Sequence, residues 1–289
     1  MTTLYKFSAV VGWLGMAVCA GFPLSGWADA AAEPPQTHTF TANMGVVSNY
    51  IFRGQSQTWN KPAFQGGVDY AHADGWYAGL WASNISDRQY AGGWAELDYY
   101  GGFNGKFNND WSWTLGVNGV YYPSANYDRV NPAVAVNGDQ SYDNFEVNAG
   151  LGYKWITLKV YASLTDYFGA NTRTGYKSDS KGTTYWDLSA NVPLPEAYFT
   201  KDVTLPLHIG RTEYPTTLAV PAAGGGTNPD YTDYKIGISK GLEEGWSLSA
   251  AYTYADGASV YNNVPSAKNL SDTENLVGGH TVFSITKSF

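Results

Sequence analysis

Along most of the chain, apolar and polar residues alternate in segments of roughly ten, the spacing of strands with one greasy and one wet face. The last segment, 281–289, puts Phe283, Ile285 and Phe289 on one face and Val282, Ser284, Thr286 and Ser288 on the other. A chain that ends on such a strand needs a partner for its open edge. The stretch Thr39 to Phe52 can supply it, with Phe40, Ala42, Met44, Val46, Tyr50 and Phe52 on one face and Thr41, Asn43, Gly45, Asn49 and Arg53 on the other. The same rhythm recurs between them. Leu97, Tyr99 and Phe103 oppose Glu96 and Asp98; Val147, Ala149 and Leu151 oppose Glu146 and Asn148; Trp186, Leu188 and Ala190 oppose Asp187 and Ser189; Tyr234, Ile236 and Ile238 oppose Lys235 and Ser239. The segment Trp76 to Ser83 is apolar on both faces, so its inward side stays open. The segment Val203 to Glu213 contains Pro206, which cannot donate to a ladder and calls for a bulge or a later strand start. The tally is about twelve strands, each near the length that a tilted strand needs to cross a bilayer.

The connections alternate in length. They are short at 72–75, 104–110, 154–155 and 242–245, long at 123–141, 169–182, 214–230 and 255–275, and intermediate at 193–202. Outer-membrane barrels alternate in this way, with short periplasmic turns and long extracellular loops. Aromatic residues gather at the predicted strand ends: Phe103, Trp111, Trp113, Tyr153 and Trp246 near the short turns, Tyr50, Phe52, Tyr121 and Tyr254 near the long loops. Two aromatic girdles at headgroup level are the expectation, whereas a sandwich core would concentrate rings at strand centres. The predicted fold class is therefore all-β: a transmembrane antiparallel β-barrel over residues 39–289.

Composition adds destination. Lys6, an apolar run to Val18 and the small residues Ala28-Asp29-Ala30 read as a secretory signal over 1–30, cleaved after Ala30, with a spacer over 31–38 in which Pro34-Pro35 blocks regular structure. The single cysteine, Cys19, falls inside that segment, and Val18 before it does not suit lipoprotein cleavage. The net charge of −8 gives nucleic acid no electrostatic footing. Past Ala31 no apolar run approaches the roughly 20 residues of a membrane-spanning helix. The expected location is the bacterial outer membrane, with its lipids as one partner.

The first four strands carry a resemblance. Ser48-Asn-Tyr-Ile-Phe-Arg-Gly-Gln-Ser-Gln57, Pro62-Ala-Phe-Gln-Gly-Gly-Val-Asp-Tyr70, Gly75-Trp-Tyr-Ala-Gly-Leu-Trp-Ala-Ser-Asn84 and Glu96-Leu-Asp-Tyr-Tyr-Gly101 resemble the TorF-like family of porins of Gram-negative bacteria, densely to Phe103 and more loosely beyond. The resemblance implies an outer-membrane barrel and passive transport, without fixing a solute or catalytic residues. The C-terminal strand ending on Phe289 likewise resembles the signal read by the barrel assembly machinery.

If the polar faces line a lumen, Asp69, Glu96, Asp98, Glu146, Lys159, Asp187 and Lys235 are the candidate pore-lining charges, with Glu96 and Asp98 set across the barrel from Lys235. The alternative is a plugged interior of mutually paired charges. Arg53, followed by Gly54, and Lys61 are candidates for the channel mouth, where Arg53 could attract anionic solutes or hold the loop through backbone carbonyls. The histidines His38, His72, His208 and His280 sit in no recognisable nucleophile motif, no Cys/His spacing suggests a metal, and Gly224-Gly-Gly226 reads as flexible loop. No cofactor is expected. A narrow channel for small hydrophilic solutes is the leading reading, a structural or adhesive barrel without transport the alternative, and an outer-membrane hydrolase a third. The oligomeric state is not legible.

Overall fold

The computed structural model describes residues 37–131, 138–222, 224–257 and 259–289. The predicted signal segment and residues 31–36 of the spacer lie outside them. Twelve antiparallel strands form one closed barrel in which each strand pairs with its neighbours in sequence and the last pairs with the first. They are β1 (His38–Val47), β2 (Ala63–His72), β3 (Trp76–Asn84), β4 (Ala95–Lys106), β5 (Trp111–Tyr121), β6 (Asn144–Tyr153), β7 (Ile156–Ser163), β8 (Thr184–Pro193), β9 (Val203–Glu213), β10 (Tyr231–Gly241), β11 (Trp246–Asp256) and β12 (His280–Ser288). The seam runs from Asn43 opposite Ser288 to Val47 opposite Ser284, and the N–H of Phe289 donates to the carbonyl of Ala42 at 2.9 Å. Closure leaves no edge whose backbone groups would face hydrocarbon unpaired.

The outward face is apolar along the whole wall: Phe40, Phe64, Leu80, Leu115, Ile236 and Phe283 are each more than half exposed. In a water-soluble fold this much open apolar surface would be a liability, and around a barrel it is the lipid-facing band. Trp76, Trp111, Tyr153 and Trp246 ring the turn end, while Tyr121, Trp186 and Tyr254 ring the loop end, all outward. Trp76 to Asn84, open in the sequence, resolves cleanly: Trp76 and Leu80 face out, and Tyr77, Trp81 and Ser83 are buried inside.

The structure corrects three expectations. The first strand stops at Val47 instead of Phe52 and begins at His38, which pairs with His72 and so belongs to the barrel. Tyr50 is therefore not a girdle residue but is buried inside, and Phe52 turns inward with it. Pro206 produces no bulge. It stays in register with Asn191 of β8, and only the ladder toward β10 lapses, where Leu205 and Pro206 have no partner between Thr204↔Ser239 and Leu207↔Ile236. One missing N–H costs a ladder bond on one side, which a strand held on both sides tolerates.

If the outer band lies in lipid, Ile236→Arg, in the middle of β10, lowers folding stability in lipid vesicles by about 2–4 kcal/mol. Denaturant titration of refolding measures it, and unchanged stability would place that face out of the bilayer.

Candidate functional site: an infolded hairpin across the lumen

The barrel interior is graded along its axis. Near the turn end, inward residues such as Thr41, Asp69, Thr114, Ser189 and Asn191 are partly exposed, whereas near the loop end Val47, Gln65, Ser83, Glu96, Asn118, Tyr185, Thr212 and Thr253 are buried. What covers them is the β1–β2 connection, 48–62, folded into the lumen. Ile51–Phe52 pairs with Gln55–Ser56 as a short hairpin. Its two central residues, Arg53 (φ 45°) and Gly54 (φ 75°), both take positive φ, as a two-residue turn of matching twist requires. An arginine there is locally strained and persists because its surroundings hold it.

The hairpin touches three parts of the wall. At its base the Tyr50 hydroxyl donates to Glu96 Oε1 on β4 at 2.5 Å. At its tip Gly54 lies so close to the opposite wall that an added Cβ would come within 2.5 Å of Asp233 Cβ on β10. The Arg53 guanidinium donates in a fork to Glu146 on β6, at 2.8 Å to Oε1 and 2.7 Å to Oε2, and its Nη1 also donates to the Tyr167 hydroxyl at 2.9 Å. It lies over the ring of Tyr185 at 4.3 Å and that of Tyr161 at 5.0 Å. Arg53 is 5% exposed, so this charge sits within the lumen and not at the expected mouth. Of the expected mouth pair only Lys61 is exposed, and Asn118 completes the Glu146 site by donating to Oε2 at 3.0 Å.

The remaining predicted lumen charges all face inward, in separate surroundings. Asp69 accepts from the Tyr100 hydroxyl at 2.6 Å. Glu96 and Asp98 are buried beside the hairpin base. Lys159, opposite Asp187 in the β7–β8 ladder, is buried with its Nζ 5.7 Å from the Tyr161 ring. Lys235 lines a cavity of about 30 Å³ with Asn49, Arg53, Gly54, His208 and Asp233. That cavity has room for roughly one or two waters. The infolded hairpin, carrying its own cation, therefore stands between Lys235 and the Glu96–Asp98 pair expected to face it.

His208, which the sequence left beside an uncertain proline, proves central to the β8–β10 wall. Its Nε2 is 2.8 Å from Asp233 Oδ1, and its Nδ1 is 2.9 Å from Ser189 Oγ and 3.3 Å from Asp187 Oδ1. Serine, histidine and aspartate are thus brought together, but with the polarity of a strut. The Ser189 hydroxyl donates to Asp187 at 2.5 Å, so its proton goes to a carboxylate and the imidazole does not take it. No motif could have shown this, since the residues come from three strands.

Above the hairpin the loops close over with tyrosine. Tyr90 stacks on Tyr122 at 4.5 Å, Tyr127 on Tyr142 at 4.0 Å, and Tyr167 meets Tyr214 edge-on at 5.3 Å. Burial pushes the phenols of Tyr167 and Tyr176 up to about 12 from 10.0. Because the folded loops hold these protons more tightly than the unfolded chain, the stabilisation is complete below pH 10 and is lost as pH rises toward 12. Tyrosinate absorbance should accordingly appear together with loop unfolding, and an early titration at constant loop structure would contradict the packing. Removing the arginine tests the other anchor. Arg53→Ala leaves Glu146 buried and unpaired and should cost about 3–5 kcal/mol in denaturant unfolding, with Arg53→Leu/Glu146→Leu recovering most of it.

The barrel is similar to the crystal structure of the NanC porin (TM-score 0.51, 10% identity, covering 86% of this chain and 99% of that one). It is less similar to the KdgM porin in complex with disordered oligogalacturonate (TM-score 0.48, 7% identity, 87% and 99%) and to OprD of Pseudomonas aeruginosa (TM-score 0.38, 12% identity, 82% and 60%). At such identity the first likeness speaks for the fold alone, and the other two carry no argument. No curated protein matches the sequence. The profile of a family described as "Bacterial protein of unknown function (Gcw_chp)" matches residues 31–289, and the chain belongs to that family.

Proposed function

We propose that this protein is a narrow outer-membrane channel for small hydrophilic solutes, with the hairpin at 51–56 as its constriction. The observation that carries the reading is that hairpin: it reaches from β1 to both β6 and β10 inside a closed barrel, and it pairs a guanidinium with a carboxylate of the wall inside the lumen. Twelve strands enclose more than the side-chain-filled interior of about eight and less than the water-filled bore of about sixteen, so one folded loop is enough to close the space. The resemblance of strands β1 to β4 to TorF-like porins supports the same reading, as does the fold shared with the NanC porin. In this proposal residues 1–30 export the chain and Phe289 presents it to the barrel assembly machinery.

The lumen bias is acidic. Asp69, Glu96, Asp98, Glu146, Asp187 and Asp233 face inward against Arg53, Lys159, Lys235 and the His208 ring. Such a lining concentrates cations and repels anions. The interior as it stands also suits a barrel that does not conduct, because the described loops fill its outer half.

Planar-bilayer recording separates the two. Wild-type protein should give small, cation-preferring conductance, and replacing 51–56 by a short glycine linker should raise it several-fold. Gly54→Val, whose side chain the β10 wall cannot admit, should act in the same direction as the linker. A membrane that stays silent after the hairpin is removed would leave a structural barrel, and an anion preference would sink the charge argument.

A further inference from the structure

Four inward residues on four neighbouring strands surround the Arg53 guanidinium. Glu146 on β6 pairs with Asn118 on β5 in their ladder, and Tyr161 on β7 pairs with Tyr185 on β8. Strand pairing therefore fixes a carboxylate, an amide and two aromatic rings on one stretch of wall, all of them buried. The Asn118 amide donates to Glu146 Oε2 at 3.0 Å and holds the carboxylate in place. The Tyr185 hydroxyl is turned toward the His208 strut, 3.0 Å from Nε2 and 3.2 Å from Asp233 Oδ2, which leaves its ring face to the cation. Arg53 fills the box between them, forked onto both Glu146 oxygens with its guanidinium 4.3 Å from the Tyr185 ring centre.

The wall side of this box owes its geometry to the ladders and not to the hairpin. The hairpin side is the unusual one, because turn positions with positive φ favour Gly, Asn or Asp, and Arg53 takes φ 45°. Local conformation gives no reason for an arginine there, and the box does. We propose that the box is the channel's solute subsite for singly substituted guanidinium cations, with Arg53 as a tethered occupant that a passing solute replaces. This rests on the channel reading above and names its solute class. A planar guanidinium meets two carboxylate oxygens with two parallel N–H bonds while laying its face on a ring; an ammonium offers a point charge and no such fork. Exchange also keeps the charge balanced, since one cation reaches Glu146 as the other leaves and the buried carboxylate is not stranded. The acidic lining repels a solute that carries its own carboxylate, so the class is a guanidinium on a neutral or cationic stem.

Chemical rescue addresses the box directly. The full-length Arg53→Ala protein in detergent, heated with millimolar ethylguanidinium chloride, should show a saturable rise in Tm. Ethylammonium chloride should bind more weakly by roughly ten-fold or more. Adding Glu146→Gln to Arg53→Ala should abolish the rise, and adding Tyr185→Leu should raise the concentration required by several-fold. Wild-type protein, whose box is filled by a tethered group, should show no rise over the same range. Should Arg53→Ala not fold, the variant with a glycine linker in place of 51–56 keeps all four wall residues and takes the same titration. The proposal is overturned if neither variant gives a saturable rise, if ethylammonium matches ethylguanidinium, if the rise survives Glu146→Gln, or if wild type rises equally. In planar bilayers ethylguanidinium should block the linker variant's current, and Glu146→Gln should relieve the block by roughly ten-fold. A silent membrane beside a saturable Tm rise would remove the channel and leave the guanidinium site, whereas current without the rise would remove the site and leave the channel.

Discussion

Hydrocarbon offers a backbone no hydrogen bonds, and almost everything in this molecule follows from that. A sheet in such a solvent must close, and here it closes where Val47 meets Ser284 and Phe289 bonds to Ala42. Once closed, each strand has one face toward lipid and one toward the lumen, so the period-two alternation of the sequence becomes a partition of space. The outward rings of Trp76, Trp111, Tyr121 and Tyr254 then fall at the two ends of the band, where amphipathic side chains are most comfortable.

Closure creates a second problem, because a twelve-stranded wall encloses more room than its own side chains fill. The chain meets it with the β1–β2 connection. Turning inward at Ser48, it buries Tyr50, Arg53 and Gln57 against the wall. The fork between Arg53 and Glu146 is bidentate and stacked on tyrosine rings, a geometry that lysine could not reproduce. The His208 strut between Asp187 and Asp233 does for the β8–β10 wall what the arginine does for β6: it holds carboxylates that the lumen face carries in fixed places. Rigidity of this kind fixes the positions of charges inside the lumen, since a group held by several bonds keeps its place.

The chemistry divides along the same axis. The turn-side half of the lumen is lined by small polar residues that water can reach, while the loop-side half is an aromatic core in which Tyr90, Tyr122 and Tyr142 pack as they would inside a soluble domain. Loops that cover a barrel lumen can bury tyrosine at little cost, because each ring brings apolar area and a hydroxyl able to bond within the cover.

Much of the fold was legible in the sequence. Strand positions, their number, the lipid-facing residues and the alternation of short turns with long loops all rest on local periodicity, and a residue's face is set by its neighbours one and two positions away. The inward direction of Asp69, Glu96, Asp98, Glu146, Lys159, Asp187 and Lys235 was readable for the same reason. What the alternation could not show is where a strand stops inside its own pattern. Tyr50, Phe52 and Arg53 continue the two faces of β1, and the usual Asn-Gly signal of a tight hairpin is replaced by Arg53-Gly54. Nor could it show which inward charges meet, because Arg53 and Glu146, or Asp187, His208 and Asp233, lie far apart along the chain and are joined only by the curvature of the closed wall. Local order along the chain was enough to specify a barrel with a wet inside and a greasy outside. That the inside is largely filled, and by which hairpin, was settled by distances across the ring, which no local pattern encodes.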